Sequence, residues 1–192
     1  SGGLGAAGIL LGALAGVWIA LRRRGVSLRE WADLLTPGLL VTLAILPWAN
    51  IVNQQMFGPP TDLPWGMALT RRVPPFDDLT AFAPTIRFHP TPAYVSLWAL
   101  VTLGIVWLVD RRFGDAMRAG DRLLLAGAVY LPGLFLADFL RLDVSLPVFG
   151  LTGLQGAAAA LFAAVVALGI WRWRAQRGEQ ANRTEEPPAS GG

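Results

Sequence analysis

With 192 residues, 54% of them hydrophobic and only 15% charged, the chain is more apolar than a soluble domain of its size, and its mean hydropathy of +0.48 points to a membrane protein. Cysteine is absent and His89 is the only histidine, which excludes disulfides and leaves no donor set for a protein-only zinc or haem site. All 16 basic residues are Arg, but they sit at the ends of apolar runs rather than along one amphipathic face, so the high pI argues for membrane topology and not for nucleic acid.

The opening Ser1-Gly2-Gly3 has no Met and leads into an apolar run without a charged leader, which is not the form of a signal peptide. It reads as a fragment with further helices upstream, or else as a processed start. Gly3 to Leu21 has the length to cross a hydrocarbon core and is stopped by Arg22, Arg23 and Arg24. Gly8, Gly12 and Gly16 recur at every fourth position, a smooth stripe for another helix backbone.

A second span is expected from Leu34 to Val52, with Pro37 near its entry and Pro47 near its exit. Gly58 to Pro92 then holds eight prolines and cannot be one regular element, so it reads as a long loop on one membrane face. Further spans are expected at Ala93–Val109, Leu123–Leu140 and Leu151–Trp173, giving five crossings in an all-α, polytopic membrane bundle over residues 1–174. The polar remainder, 175–192, reads as a disordered cytoplasmic tail.

If five spans alternate, Arg22, Arg23, Arg24, Arg29, Arg111, Arg112, Arg118, Arg122, Arg172, Arg174, Arg177 and Arg183 share one face, against Arg71, Arg72, Arg87 and Arg141 on the other. The positive-inside rule makes the first face cytoplasmic and puts the proline-rich loop and His89 outside. Trp18, Trp48, Trp107 and Trp171 near span ends agree with that arrangement.

Polar groups close to the outer ends of these spans are costly unless they hold a ligand or one another. Tyr130, Leu134, Asp138 and Arg141 are spaced to share one helix face, and Asn50 and Asn53 share another. A hollow between the second and fourth spans would suit a phospholipid headgroup, whose phosphate an Arg recognises. Each residue also has a plainer role: His89 as a loop pin, Asp138 and Arg141 as a structural pair, the asparagines as helix caps, Tyr130 as an interfacial anchor, Asp33 as a cap or ion-pair partner.

The order of these segments resembles the bacterial phosphatidylglycerol–prolipoprotein diacylglyceryl transferase family from Ser1 to about Trp173. Leu46-Pro-Trp-Ala-Asn-Ile-Val-Asn-Gln-Gln-Met-Phe-Gly58 is similar to the family signature G-R-x-G-N-F-x-N-x-E-x-x-G, and Phe88-His-Pro-Thr-Pro-Ala-Tyr94 to the segment that follows it. Tyr130-Leu-Pro-Gly-Leu-Phe-Leu-Ala-Asp-Phe-Leu-Arg141 is similar to Y-x-x-G-R-x-x-x-E-x-x-R, and Gln155 matches a later Gln.

The resemblance implies a multi-pass enzyme of the bacterial cytoplasmic membrane, C-terminus inside, needing no cofactor or metal. It would move a diacylglyceryl group from phosphatidylglycerol to the lipobox cysteine thiol of a prolipoprotein signal peptide. Arg141, Tyr130, Asp138 and His89 would then be catalytic, with Asn50, Asn53, Gly58, Tyr94 and Gln155 binding lipid. The chain departs from the pattern at Pro47 and Leu134, where the family has Arg, at Val95 and Gln55, where it has Glu, and at Ser1, where it has His. A catalytically degenerate relative that binds lipid or lipoprotein is the alternative these departures raise.

Overall fold

The computed structural model describes residues 2–70, 85–142 and 150–185. The chain is mostly helical. Helix α1 spans Gly2–Arg23, α2 Leu28–Ile45 and α3 Pro47–Val52, followed by short strands β1 (Pro60–Thr61), β2 (Met67–Ala68) and β3 (Arg87–Phe88). Helix α4 spans Thr91–Phe113, α5 Asp121–Asp138 and α6 Gly153–Glu185. Three stretches, Leu28–Val52, Thr91–Ala116 and Gly153–Arg177, are long and apolar enough to cross a membrane. Helix α5 is shorter and carries Asp121, Arg122 and Asp138, so its place in the bundle comes from packing between α4 and α6 rather than from apolarity.

The bundle is built on α2, α4, α5 and α6. Leu40, Val106 and Ala126 form one layer between α2, α4 and α5, and Ala44, Ala99 and Tyr130 form the next. Small residues let the backbones approach where lipid supplies no hydrophobic drive of its own. Thr36 and Thr102 are wholly buried and return their hydroxyls to Ala32 O and Trp98 O one turn back, at 2.9 Å each, so neither leaves a donor unpaired. Pro47 opens α3 at its first turn, where the missing N–H costs nothing, and so divides the second expected span into α2 and α3.

Proline in α5 is handled differently. Pro132 leaves the Ala128 carbonyl without its helical donor, and beside it the Trp98 indole N–H donates to the Val129 and Tyr130 carbonyls of the same turn, at 3.2 Å each.

Within the proline-rich segment the chain is not purely α-helical. Strand β3 lies between β1 and β2 in a three-stranded antiparallel sheet, Phe88 pairing with Pro60 on one side and Met67 on the other. Phe57, Leu69 and Phe88 are buried beneath it, with Phe57 and Phe88 edge to face at 5.5 Å. Only β1 contains a proline, Pro60, and β2 and β3 contain none, so two residue pairs form on each side of β3, which composition alone did not reveal. Residues 71–84, including Arg71, Arg72 and three of the prolines, lie outside the described residues, as do Ser1 and 186–192. Helix α6 runs through the expected boundary at residue 174 and on to Glu185. The space beside Gly8, Gly12 and Gly16 on α1 is open.

Candidate functional site

The chain ends of α5 and α6 meet around one carboxylate. Asp138, in the last turn of α5, is 3% exposed; its Oδ1 accepts from Arg141 Nη1 at 2.9 Å and its Oδ2 accepts the Thr152 hydroxyl. Thr152 is the residue before α6, and Gln155 stands three residues later. The Thr152 N–H donates to Gln155 Oε1 at 3.0 Å while the Gln155 N–H donates to Thr152 Oγ1 at 3.1 Å, the reciprocal capping box of a helix start. Gln155 is thus buried as a helix cap, and the same threonine hydroxyl holds the acid of the Asp138–Arg141 pair. The signal was legible as Thr-x-x-Gln before an apolar run, and Thr152 is the residue the sequence reading missed.

A second cluster forms at the start of α4. His89 Nδ1 and the Tyr94 hydroxyl are 2.8 Å apart, and the Trp65 indole N–H donates to the same hydroxyl oxygen at 3.1 Å. Trp65 is a donor only, so the Tyr94 oxygen accepts from it while the same hydroxyl bonds His89 Nδ1. Beside this pair runs a groove of about 530 Å³, walled by Trp48, Ile51, Met67, Ala93, Tyr94 and Leu97. Trp48 is fixed by its indole N–H to Ser96 Oγ at 3.0 Å, and Ser96 in turn donates to Ala44 O.

Gly58 joins the two clusters. A Cβ there would lie 2.8 Å from Leu140 O, 3.0 Å from His89 Cβ and 3.2 Å from Thr91 Oγ1, so the backbones on either side close only over a glycine. Its N–H donates to His89 O at 2.8 Å, the His89 N–H donates to Pro59 O at 3.0 Å, and the Leu142 N–H donates to Phe57 O at 3.0 Å. Leu140 and Leu142 flank Arg141, so this stitch brings the Arg141 segment up against the histidine loop.

The remaining expected residues lie elsewhere. Tyr130 is buried, its ring in the apolar layer with Ala44, Ala99, Trp98 and Leu134. Between α2 and α5, Leu40 clusters with Ala126 and Ala44 with Tyr130, small residues letting the backbones approach there. Asn50 is half-buried in α3 and Asn53 is exposed at its end; among the described residues neither amide side chain bonds to Asp138 or Arg141. Gln54 and Met56 adopt positive φ just after them, and Gln54 Oε1 accepts from the Thr70 N–H at 2.7 Å, tying this turn to the sheet. At the departures, Leu134 packs in the Tyr130 layer, Val95 is buried at the start of α4, and Gln55 is exposed.

Asp33 lies at the other end of the bundle. It is 4% exposed and accepts the Gly120 N–H at 2.7 Å and the Leu123 N–H at 3.0 Å, so it caps α5 from α2 rather than its own helix. Arg122 stands 3.8 Å from it and 2.6 Å from Asp110.

Residues 1–173 match the family model described as prolipoprotein diacylglyceryl transferase. Similar proteins include the phosphatidylglycerol–prolipoprotein diacylglyceryl transferases of Chloroflexus aggregans, 40% identical over 74% of this chain and 50% of that one, and Streptomyces griseus subsp. griseus, 38% identical over 78% and 43%. The Frankia alni protein of the same name is 36% identical over 90% of this chain and 44% of its own. The chain spans about half the length of the curated relatives it matches. No solved structure matches it.

Proposed function

Because the chain belongs to the prolipoprotein diacylglyceryl transferase family, we propose that it carries the transfer of a diacylglyceryl group from phosphatidylglycerol to the cysteine thiol of a prolipoprotein. In this reading the helices cross the bacterial cytoplasmic membrane five times. The ends bearing Arg22–Arg24, Arg111, Arg112 and Arg172 face the cytoplasm, by the positive-inside rule. The sheet, His89 and Arg141 then lie at the outer surface, where a translocated lipobox cysteine arrives.

One observation carries the assignment of the site: Gly58 places His89 Cβ and Leu140 O each within about 3 Å of a single point. An imidazole and a guanidinium are thereby directed to one end of the bundle, beside a groove apolar enough for acyl chains. The reaction forms a carbon–sulfur bond at the glyceryl carbon bearing the phosphate ester as that carbon–oxygen bond breaks. Glycerol phosphate leaves with the bonding electrons, and the thiol proton departs with it. Charge grows on the leaving phosphate, so the useful groups are fixed donors. Arg141, oriented by Asp138 and Thr152, and His89, oriented by Tyr94, meet that need without moving. The chain's lack of cysteine fits, since the sulfur is the substrate's.

The test is a transfer assay in membranes stripped of native enzyme, scoring thioether lipidation of a lipobox peptide by mass. Lipidation by this chain that falls at least a hundredfold in Arg141→Ala is the expected result, on the order of the loss of one fixed transition-state donor. Normal expression with no lipidation overturns the reading. Phosphatidylglycerol binding without transfer would assign the chain to the non-catalytic class that Leu134 and Pro47 raise.

A further inference from the structure

At the end of the bundle opposite His89, three arginines from three elements converge. Arg29 from the first turn of α2, Arg118 from the α4–α5 turn and Arg172 from α6 line a cavity of about 290 Å³ with Trp171 and Gln176. Gly120 makes the convergence possible. It sits at φ +95, and a Cβ there would be 3.0 Å from Arg172 Nη1 and 3.6 Å from Arg29 Cβ.

Arg172 is fixed and largely buried. Its Nη1 lies 2.9 Å from Asp121 Oδ1 and its Nη2 donates to Ala119 O at 2.8 Å. Asp121 is thereby spent on Arg172 and on the Arg118 backbone N–H, at 2.8 Å. Glu30 and Asp33 open onto the neighbouring cavity, and the Asp33 oxygens are taken by α5. Among the described residues the Arg29 and Arg118 guanidinium groups have no acidic partner. The cavity therefore holds two uncompensated positive charges beside a third that is rigidly held.

Arginine side chains left uncompensated around a cavity at the end of membrane helices fit a phosphate group, which their planar forks bind bidentately. We propose that Arg29, Arg118 and Arg172 form a phosphate-binding site at the arginine-rich end of the bundle, separate from the site around His89 and Arg141. Trp171 is 59% exposed at its rim, the place for an indole at the headgroup level, which makes an anionic phospholipid of that leaflet the source to test first.

The protein is embedded in phosphatidylcholine nanodiscs, with phosphatidic acid added in one arm and inorganic phosphate in the other, and bound ligand is counted by native mass spectrometry. Phosphatidic acid is not the substrate of the proposed transfer, so failure here leaves that reading standing. One tightly held phosphatidic acid, weakened roughly thirtyfold by Arg29→Ala with Arg118→Ala, is expected from about a fivefold loss per arginine near a lipid surface. Retention of inorganic phosphate instead, lost in the same variant, supports the site with a soluble source. Arg29→Lys with Arg118→Lys, which keeps the charge, should recover only part of the affinity. The proposal falls if the alanine variant binds as the parent does. It also falls if Arg23→Ala with Arg24→Ala, at the end of α1, weakens binding equally, since that is the response of diffuse surface charge.

Discussion

The indole of Trp98 lies in the space that a side chain on Gly133 would fill: a Cβ at that position would overlap its nitrogen. The contact lets Trp98 reach the Val129 and Tyr130 carbonyls in the turn that Pro132 deprives of a donor. Gly133→Ala should therefore force the indole out and cost about 3 kcal/mol, at the upper end of overpacking penalties. Trp98→Phe, which keeps the bulk but not the N–H, should cost about 1 kcal/mol. Thermal unfolding in detergent measures both. A Gly133→Ala protein as stable as the parent would show that the helices part there freely.

Asp33 supplies α5 with the cap that Gly120 has no side chain to give. Asp33→Ala leaves two buried N–H groups unpaired and should lower stability by about 3 kcal/mol, while Asp33→Asn, which retains one acceptor, should lose roughly half of that. Equal losses in both would mean that the carboxylate acts through Arg122 and not through the α5 backbone.

Thr152 serves two elements with one hydroxyl, as the cap of α6 and as the partner of Asp138. Thr152→Val should destabilise by about 2 kcal/mol and slow transfer as Arg141 loses its orientation, and Thr152→Ser should restore both. Melting temperature and the lipidation assay, run on the same preparations, separate the effects. If Val lowers stability but leaves transfer intact, the link from α6 to Arg141 is broken as an idea.

Tyr94→Phe removes the oxygen shared by His89 and Trp65 while keeping the ring in the groove wall. The fold should persist and transfer should drop roughly tenfold to a hundredfold, the scale of a misoriented donor. Unchanged transfer would leave His89 as a pin for the loop, through its backbone bonds to Gly58 and Pro59.

Long apolar runs, arginine stops and the absence of cysteine are properties of composition and period, so helices α2, α4 and α6 and the membrane setting could be read directly along the chain. The Asp138–Arg141 pair was legible too, because a separation of three residues brings both side chains together in the turn that leaves α5 as it would on a helix face. Other assignments depended on partners distant in sequence. That the Tyr130 ring meets Ala44 and Ala99 was not in the helix period, which does not say which neighbour a face will meet. Asp33 caps a helix that begins 88 positions later, and Gln155 caps α6, because buried N–H groups must be satisfied by whichever side chain packing brings within reach. The meeting of His89 with the Arg141 segment over Gly58 belongs to the same class. It exists only once α4 and α5 have packed, since the close approach that demands a glycine there is made by backbones more than thirty residues apart in the chain.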